Sequence, residues 1–170
     1  MFSPRKTAAY LAPAMPICNP ADLKTLLAKG ARLLGLDVGT KTIGMALSDT
    51  TLMLATPLDT IRRTRFRDDA KRLRAEIARH QIGGIVVGLP LSLDGSEGPR
   101  VQGVRQFAKN LLEQADLPLA FWDERLSTAA VEREMIAADL SRKRRSEIID
   151  KVAAAYILQG LLDRLRRSSA

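Results

Sequence analysis

Three short stretches place acids where a strand ends or a helix begins, and acids so placed can hold a hard cation. Asp37 interrupts the apolar run Leu34-Gly35-Leu36-Asp37-Val38-Gly39. An ionised aspartate in a sheet costs free energy unless something pairs with it. The glycine that follows lets backbone or a ligand phosphate come close. The plainer role is a strand-end Asx-turn. Asp123-Glu124-Arg125 ends a run containing Phe121 and Trp122. Two acids and a guanidinium there can hold a metal and contact a phosphate, or simply form a surface ion pair. Asp150 sits at helical spacing from Ala153, Ala154, Ile157 and Leu161. The alanines would let such a helix lie close to a sheet and carry Asp150 toward its strand ends. Otherwise it is an acid favoured near a helix start by the macrodipole, worth ~0.3–1 kcal/mol.

None of the three is specific alone. Mg²⁺ takes carboxylate oxygens and water, and two-metal phosphodiester hydrolysis needs several converging acids. Side chains alternate along a strand, so Leu119, Phe121 and Asp123 share one face and Ala120, Trp122 and Glu124 the other. Only one acid of that pair can point directly at Asp37. Alternation leaves the choice open; the longer reach of glutamate favours Glu124.

Basic residues cluster twice. Arg62, Arg63, Arg65 and Arg67 precede the first core helix, where a basic run is ordinarily a solvated loop. Arg142, Lys143, Arg144 and Arg145 lie immediately ahead of the Asp150 helix, one turn from a proposed ligand, and are expected to contact phosphates. The loop from Gly88 to Gly98 follows an apolar strand and precedes a helix. Its amides suit a phosphate cradle, and a plain connection equally.

The net charge of +8 favours an anionic partner, and by itself does not choose among RNA, DNA and an acidic membrane surface. Aromatics at 4% argue against extensive base stacking. A lone cysteine, Cys18, excludes an internal disulfide and argues against structural zinc; the cytosol is the natural compartment. The one histidine, His80, falls at a helix end, leaving little scope for imidazole chemistry. No apolar run approaches the ~20 residues of a membrane span. The Pro-rich start reads as an extension rather than a signal peptide.

The elements that must position the acids begin near Ala31. Arg32–Val38, Thr42–Ser48 and Thr51–Ile61 read as an antiparallel meander, with Gly39-Thr40-Lys41 as its first link and Pro57 marking an edge or an end. Arg65–His80 and Val101–Gln114 carry helical stripes. Ile85–Val87 and Leu119–Trp122 are short strands. Ser127–Ala138 and Ser146–Leu165 read as further helices, and a short helix follows Asn19-Pro20 to about Lys29. The expectation is an α/β domain over 31–166 with a mixed sheet of about five strands and helices on both faces. Residues 1–30 form an N-terminal extension and 167–170 a tail.

Four motifs in order then resemble the YqgF (RuvX) family: Leu36–Asp49; Val87–Leu91 with Asp94-Gly95-Ser96; Asp123–Thr128; and Asp150–Ala154. The resemblance implies an RNase H-like fold and a cytoplasmic nuclease related to Holliday-junction resolvases. Its substrate would be the 5′ end of pre-16S rRNA or branched DNA. It implies an acidic site at Asp37, Glu124 and Asp150, serving as catalytic residues and ligands for Mg²⁺, with Mn²⁺ as a substitute. Lys41, Arg125 and the run Arg142, Lys143, Arg144 and Arg145 are expected to contact nucleic acid. A monomer or weak homodimer is expected, with no membrane partner. Two other classes compete. An actin-like phosphotransferase uses a similar Asp-x-Gly-Thr turn but needs two such domains. A non-catalytic RNA-binding assembly factor would bind without cutting.

Overall fold

The computed structural model describes residues 17–126 and 142–169, with backbone alone for 142–147. In chain order these form β1 (Ile17–Cys18), α1 (Leu23–Leu26), β2 (Arg32–Val38), β3 (Thr42–Ser48), β4 (Ala55–Arg62), α2 (Phe66–Arg79), β5 (Ile82–Leu89), α3 (Pro99–Leu112), β6 (Leu119–Asp123) and α4 (Arg142–Ser168). The strands make one mixed sheet in the order β1-β6-β5-β2-β3-β4. β2, β3 and β4 are the expected antiparallel meander; β5, β6 and β1 extend it in parallel.

Period-two alternation in β2 divides the interior. Leu34, Leu36 and Val38 enter one core with Ile43, Met45 and Val87, closed by Leu73 of α2 and Phe107 and Leu111 of α3. Leu33 joins Ala46, Val86, Ala120 and Trp122 on the other face, under Leu23 of α1 and Ala154, Ile157, Leu158 and Leu161 of α4. Each fully buried leucine contributes about 1.5–3 kcal/mol by leaving water, and both faces are dry, as expected where helices cover a sheet twice.

Four expectations need correction. The mixed sheet expected with about five strands has a sixth, two-residue one, because β1 pairs with β6 through Ile17↔Leu119 and Cys18↔Ala120. Residues 17–29, expected in an extension, pack on this same unit, with Leu23 fully buried. The third strand starts at Ala55, because the Asp49 carboxylate accepts the amides of Met53 and Leu54 at 2.7 and 3.0 Å and turns the chain first. Pro57 does lie in an edge strand, beside a bulge where the pairing slips from Met45↔Asp59 to Ala46↔Pro57. The last helix begins at Arg142, so the basic run forms its first turn instead of preceding it. The helix expected over 127–138, residues 1–16 and the side chains of Arg142, Lys143, Arg144 and Arg145 lie outside the described residues.

Candidate active site

The long helix α4 crosses the sheet on glycines. Gly44 of β3 pairs with Asp37 of β2. A Cβ added at Gly44 would overlap the Asp150 carbonyl and stand 2.8 Å from the Lys151 amide nitrogen. At Gly35 it would lie 2.8 Å from Leu158 Cβ and 3.1 Å from the Ala154 carbonyl oxygen. At Gly88 of β5 it would meet Ile157 Cδ1 at 2.5 Å and Glu124 Oε1 at 2.7 Å. Glycine in a strand marks such a close approach, and here one row of glycines sets the helix down on the sheet.

That row also gathers the acids. Asp37 alternates with Leu36 and Val38 of the opposite core, so its side chain faces α4 and is only 4% exposed. Asp150 stands over the Gly44 with which Asp37 pairs. β2 and β5 run in register from Gly35↔Val86 to Leu36↔Val87, and one further step sets Asp37 beside Gly88, above which the Glu124 carboxylate lies. The structure therefore places Asp37, Glu124 and Asp150 on one face of the sheet, at its shared strand ends. Thr42 adds a contact absent from the sequence reading: its hydroxyl donates to Asp150 Oδ2.

Asp123 goes elsewhere. Its strand partners Leu119 and Phe121 join the α2–α3 core while Ala120 and Trp122 face α4, which settles the alternation. Asp123 accepts a fork from Arg125, Nε at 3.0 and 3.1 Å and Nη2 at 2.7 Å, together with the Arg125 amide at 3.0 Å. The Arg125 side chain holds its carboxyl below the usual carboxylate range. Arg125 also donates from Nη1 to the Leu93 carbonyl at 3.2 Å, which ties the Gly88–Gly98 loop to the end of β6. Within that loop the amides of Leu91, Ser92, Gly95 and Ser96 bond internally, leaving fewer to cradle an anion than the sequence implied.

Beside Asp150 opens a cavity of about 890 Å³ lined by Gly39, Thr40, Lys41, Thr42, Arg62, Arg63, Arg100 and Asp150. Arg62 and Arg63, read from sequence as a solvated run, are part of it. Arg63 Nη1 donates to the Gly39 carbonyl at 2.6 Å, its amide donates to the Lys41 carbonyl at 2.8 Å, and its guanidinium lies 5.3 Å from the Phe107 ring centroid.

Among the described residues, no three His, Cys, Asp or Glu side chains close on a common metal position. An all-carboxylate set still suits Mg²⁺, which keeps several waters and takes one or two protein carboxylates together with substrate phosphate oxygens. Asp37 of β2 and Glu124, over Gly88 of the neighbouring β5, are two carboxylates of that kind on the same sheet face.

Residues 31–164 match the model of a family described as "RuvX: Holliday junction resolvase". The chain belongs to the RuvX family. A relative from Paramagnetospirillum magneticum is 60% identical over 149 residues, covering 88% of this chain and 96% of its own. One from Rhodospirillum centenum is 53% identical over 161 residues, covering 92% and 86%. Both carry the name "Putative pre-16S rRNA nuclease". Among solved structures, T. thermophilus RuvC in complex with a Holliday junction substrate superposes with a TM-score of 0.52 at 15% identity, covering 80% of this chain and 96% of RuvC. That likeness is one of fold: the RuvX chain has the RNase H-like architecture expected from its motifs. RuvX membership makes it a nuclease by family.

Proposed function

We propose that this chain is a metal-dependent nuclease that hydrolyses phosphodiester bonds at the 5′ end of pre-16S rRNA. The observation that supports the reading is that Asp37, Glu124 and Asp150 share one sheet face, around Gly44 and Gly88. The names of the relatives support the substrate.

Asp37 and Glu124 would hold the divalent ion, Mg²⁺ with Mn²⁺ as a substitute, and Asp150 would complete the acid face for a second. Ions bound there would activate water and neutralise charge growing on the phosphate. The protein's own work is orientation. Thr42 fixes the Asp150 carboxylate, and the packed α4 backbone keeps that acid from swinging away. Lys41 and the run Arg142, Lys143, Arg144 and Arg145 draw in the backbone of the substrate. Arg125 contributes by pinning the loop that faces it. The chain acts in the cytoplasm as a monomer or weak homodimer.

A second reading, resolution of branched DNA, is favoured by the family description and the RuvC-like fold. One panel decides: pre-16S fragments, unrelated single strands, duplexes and four-way junctions, each with Mg²⁺ or Mn²⁺. Selective cleavage of the pre-16S fragment is expected. Selective cleavage of the junction replaces the substrate, and RNA binding without cleavage under either ion replaces the enzyme with a binding factor.

A further inference from the structure

The cavity beside Asp150 draws its cations from three separate elements. Lys41 comes from the β2–β3 turn, Arg62 from the end of β4 and Arg100 from the first turn of α3. Arg63, just past β4, lies behind them. Asp150 is the acid lining this wall among the described residues and is outnumbered by its cations, so the wall as a whole favours an anion received there. Lys41 and Arg100 are exposed and have no ion-pair partner among the described residues. Arg63 is differently placed: its bonds to the Gly39 and Lys41 carbonyls fasten the turn that presents Lys41.

Among the described residues, no aromatic ring lines this cavity. Phe107, the ring against Arg63, already carries that guanidinium and meets Phe66 edge-on at 5.5 Å. Base stacking needs an open ring face, so the wall reads charge and not bases. At about 890 Å³ it is far larger than a metal site and of the size that takes a ligand of many atoms.

We propose that this cavity is a subsite for backbone phosphates of the nucleic-acid strand flanking the scissile bond, gripped by Lys41, Arg62 and Arg100, with Arg63 as a positioning residue. It rests on the nuclease reading for its place beside a reacting phosphate, but its binding chemistry is measured without cleavage. Fluorescence anisotropy of the full chain is followed in EDTA across a salt series. The probes are labelled single-stranded RNAs of two unrelated base compositions and a DNA strand of matching sequence. Lys41→Gln and Arg100→Gln should each weaken binding to all three probes. Each should flatten the slope of log affinity against log salt by about 0.7, the release expected per phosphate contact on a single strand. The double variant should lose about twice that. Arg79→Gln removes the same charge from the far end of α2 and should leave the slope unchanged. An unaltered slope in both single variants overturns the subsite, and a loss confined to one base composition or to RNA overturns its backbone-only character. Failure of wild-type protein to cut any member of the substrate panel would overturn the nuclease reading and leave these binding results intact.

Discussion

Gly44→Ala is the sharpest single perturbation of the acid face, because it alters no charge and no catalytic group. The new methyl would overlap the Asp150 carbonyl and crowd the Lys151 amide. Both are helix backbone, so rotamer change cannot relieve the overlap. Clearing it lifts α4 at Asp150 by about 1 Å, and misplacement of that size at a reacting group costs about 100-fold in rate. Overpacking a tight interior also costs about 1–3 kcal/mol of stability, which for a chain of this length lowers the melting temperature by about 2–4 °C per kcal/mol. The assay is single-turnover cleavage of a pre-16S 5′ fragment at saturating Mg²⁺, with RNA affinity and thermal melting followed in parallel. The rate should fall about 100-fold while RNA affinity holds, because Lys41, Arg62 and Arg100 lie on other elements and keep their places. Gly103→Ala is the control: that glycine is exposed in α3 with nothing within 4 Å of the added carbon, so it should gain about 1 kcal/mol of stability and keep its rate. A folded Gly44→Ala protein that cuts at the wild-type rate refutes the dependence of Asp150 on this close approach.

Asp37→Asn and Glu124→Gln should each abolish cleavage with the fold intact, whereas Asp123→Asn, freed only from its Arg125 fork, should keep a substantial share; an inactive Asp123→Asn beside an active Glu124→Gln reverses the assignment. Thr42→Val should lower the rate and raise the Mg²⁺ concentration needed for half-maximal cleavage, with Thr42→Ser restoring both; equal loss in the two variants would make Thr42 a packing residue only. The bonds from Leu54 and Thr51 hold the Asp49 carboxyl down at about 2 against an ordinary 3.8. Its contribution is therefore complete above pH 4 and lost as pH falls through about 2, so the melting-temperature gap between wild type and Asp49→Asn should close over that interval.

The acids were legible one at a time because each breaks a local rule: Asp37 an apolar strand, Glu124 a strand exit, Asp150 the polar start of an apolar helical stripe. Their meeting was not, since register and helix approach are tertiary properties. A signal for that approach was nevertheless present. Gly35, Gly44 and Gly88 weaken the strands they occupy, and all three lie on the face that α4 covers. The mixed sheet followed from the change of period after Ile61. β1 did not, because two residues show no period and owe their pairing to β6. Arg62 and Arg63 read as a solvated run for a related reason: a basic run looks the same in sequence whether it faces open water or a cavity completed by Arg100, nearly forty residues away.

The two halves of the site also depend on each other electrostatically. Asp37 sits at a nearly dry position, where an ionised group is costly unless charge or hydrogen bonds of the opposite sense lie near. Thr42 supplies one such bond to the neighbouring acid, donating to Asp150. The adjoining wall of Lys41, Arg62, Arg63 and Arg100 shares Asp150 as its border. Positive charge there favours a polyanion beside the acid face. A strongly basic chain can thus carry an acidic face, because the acids occupy one row of the sheet and the bases its rim. Moving the positive charge to a remote surface at constant net charge would keep the overall attraction for RNA and lose its direction toward that face.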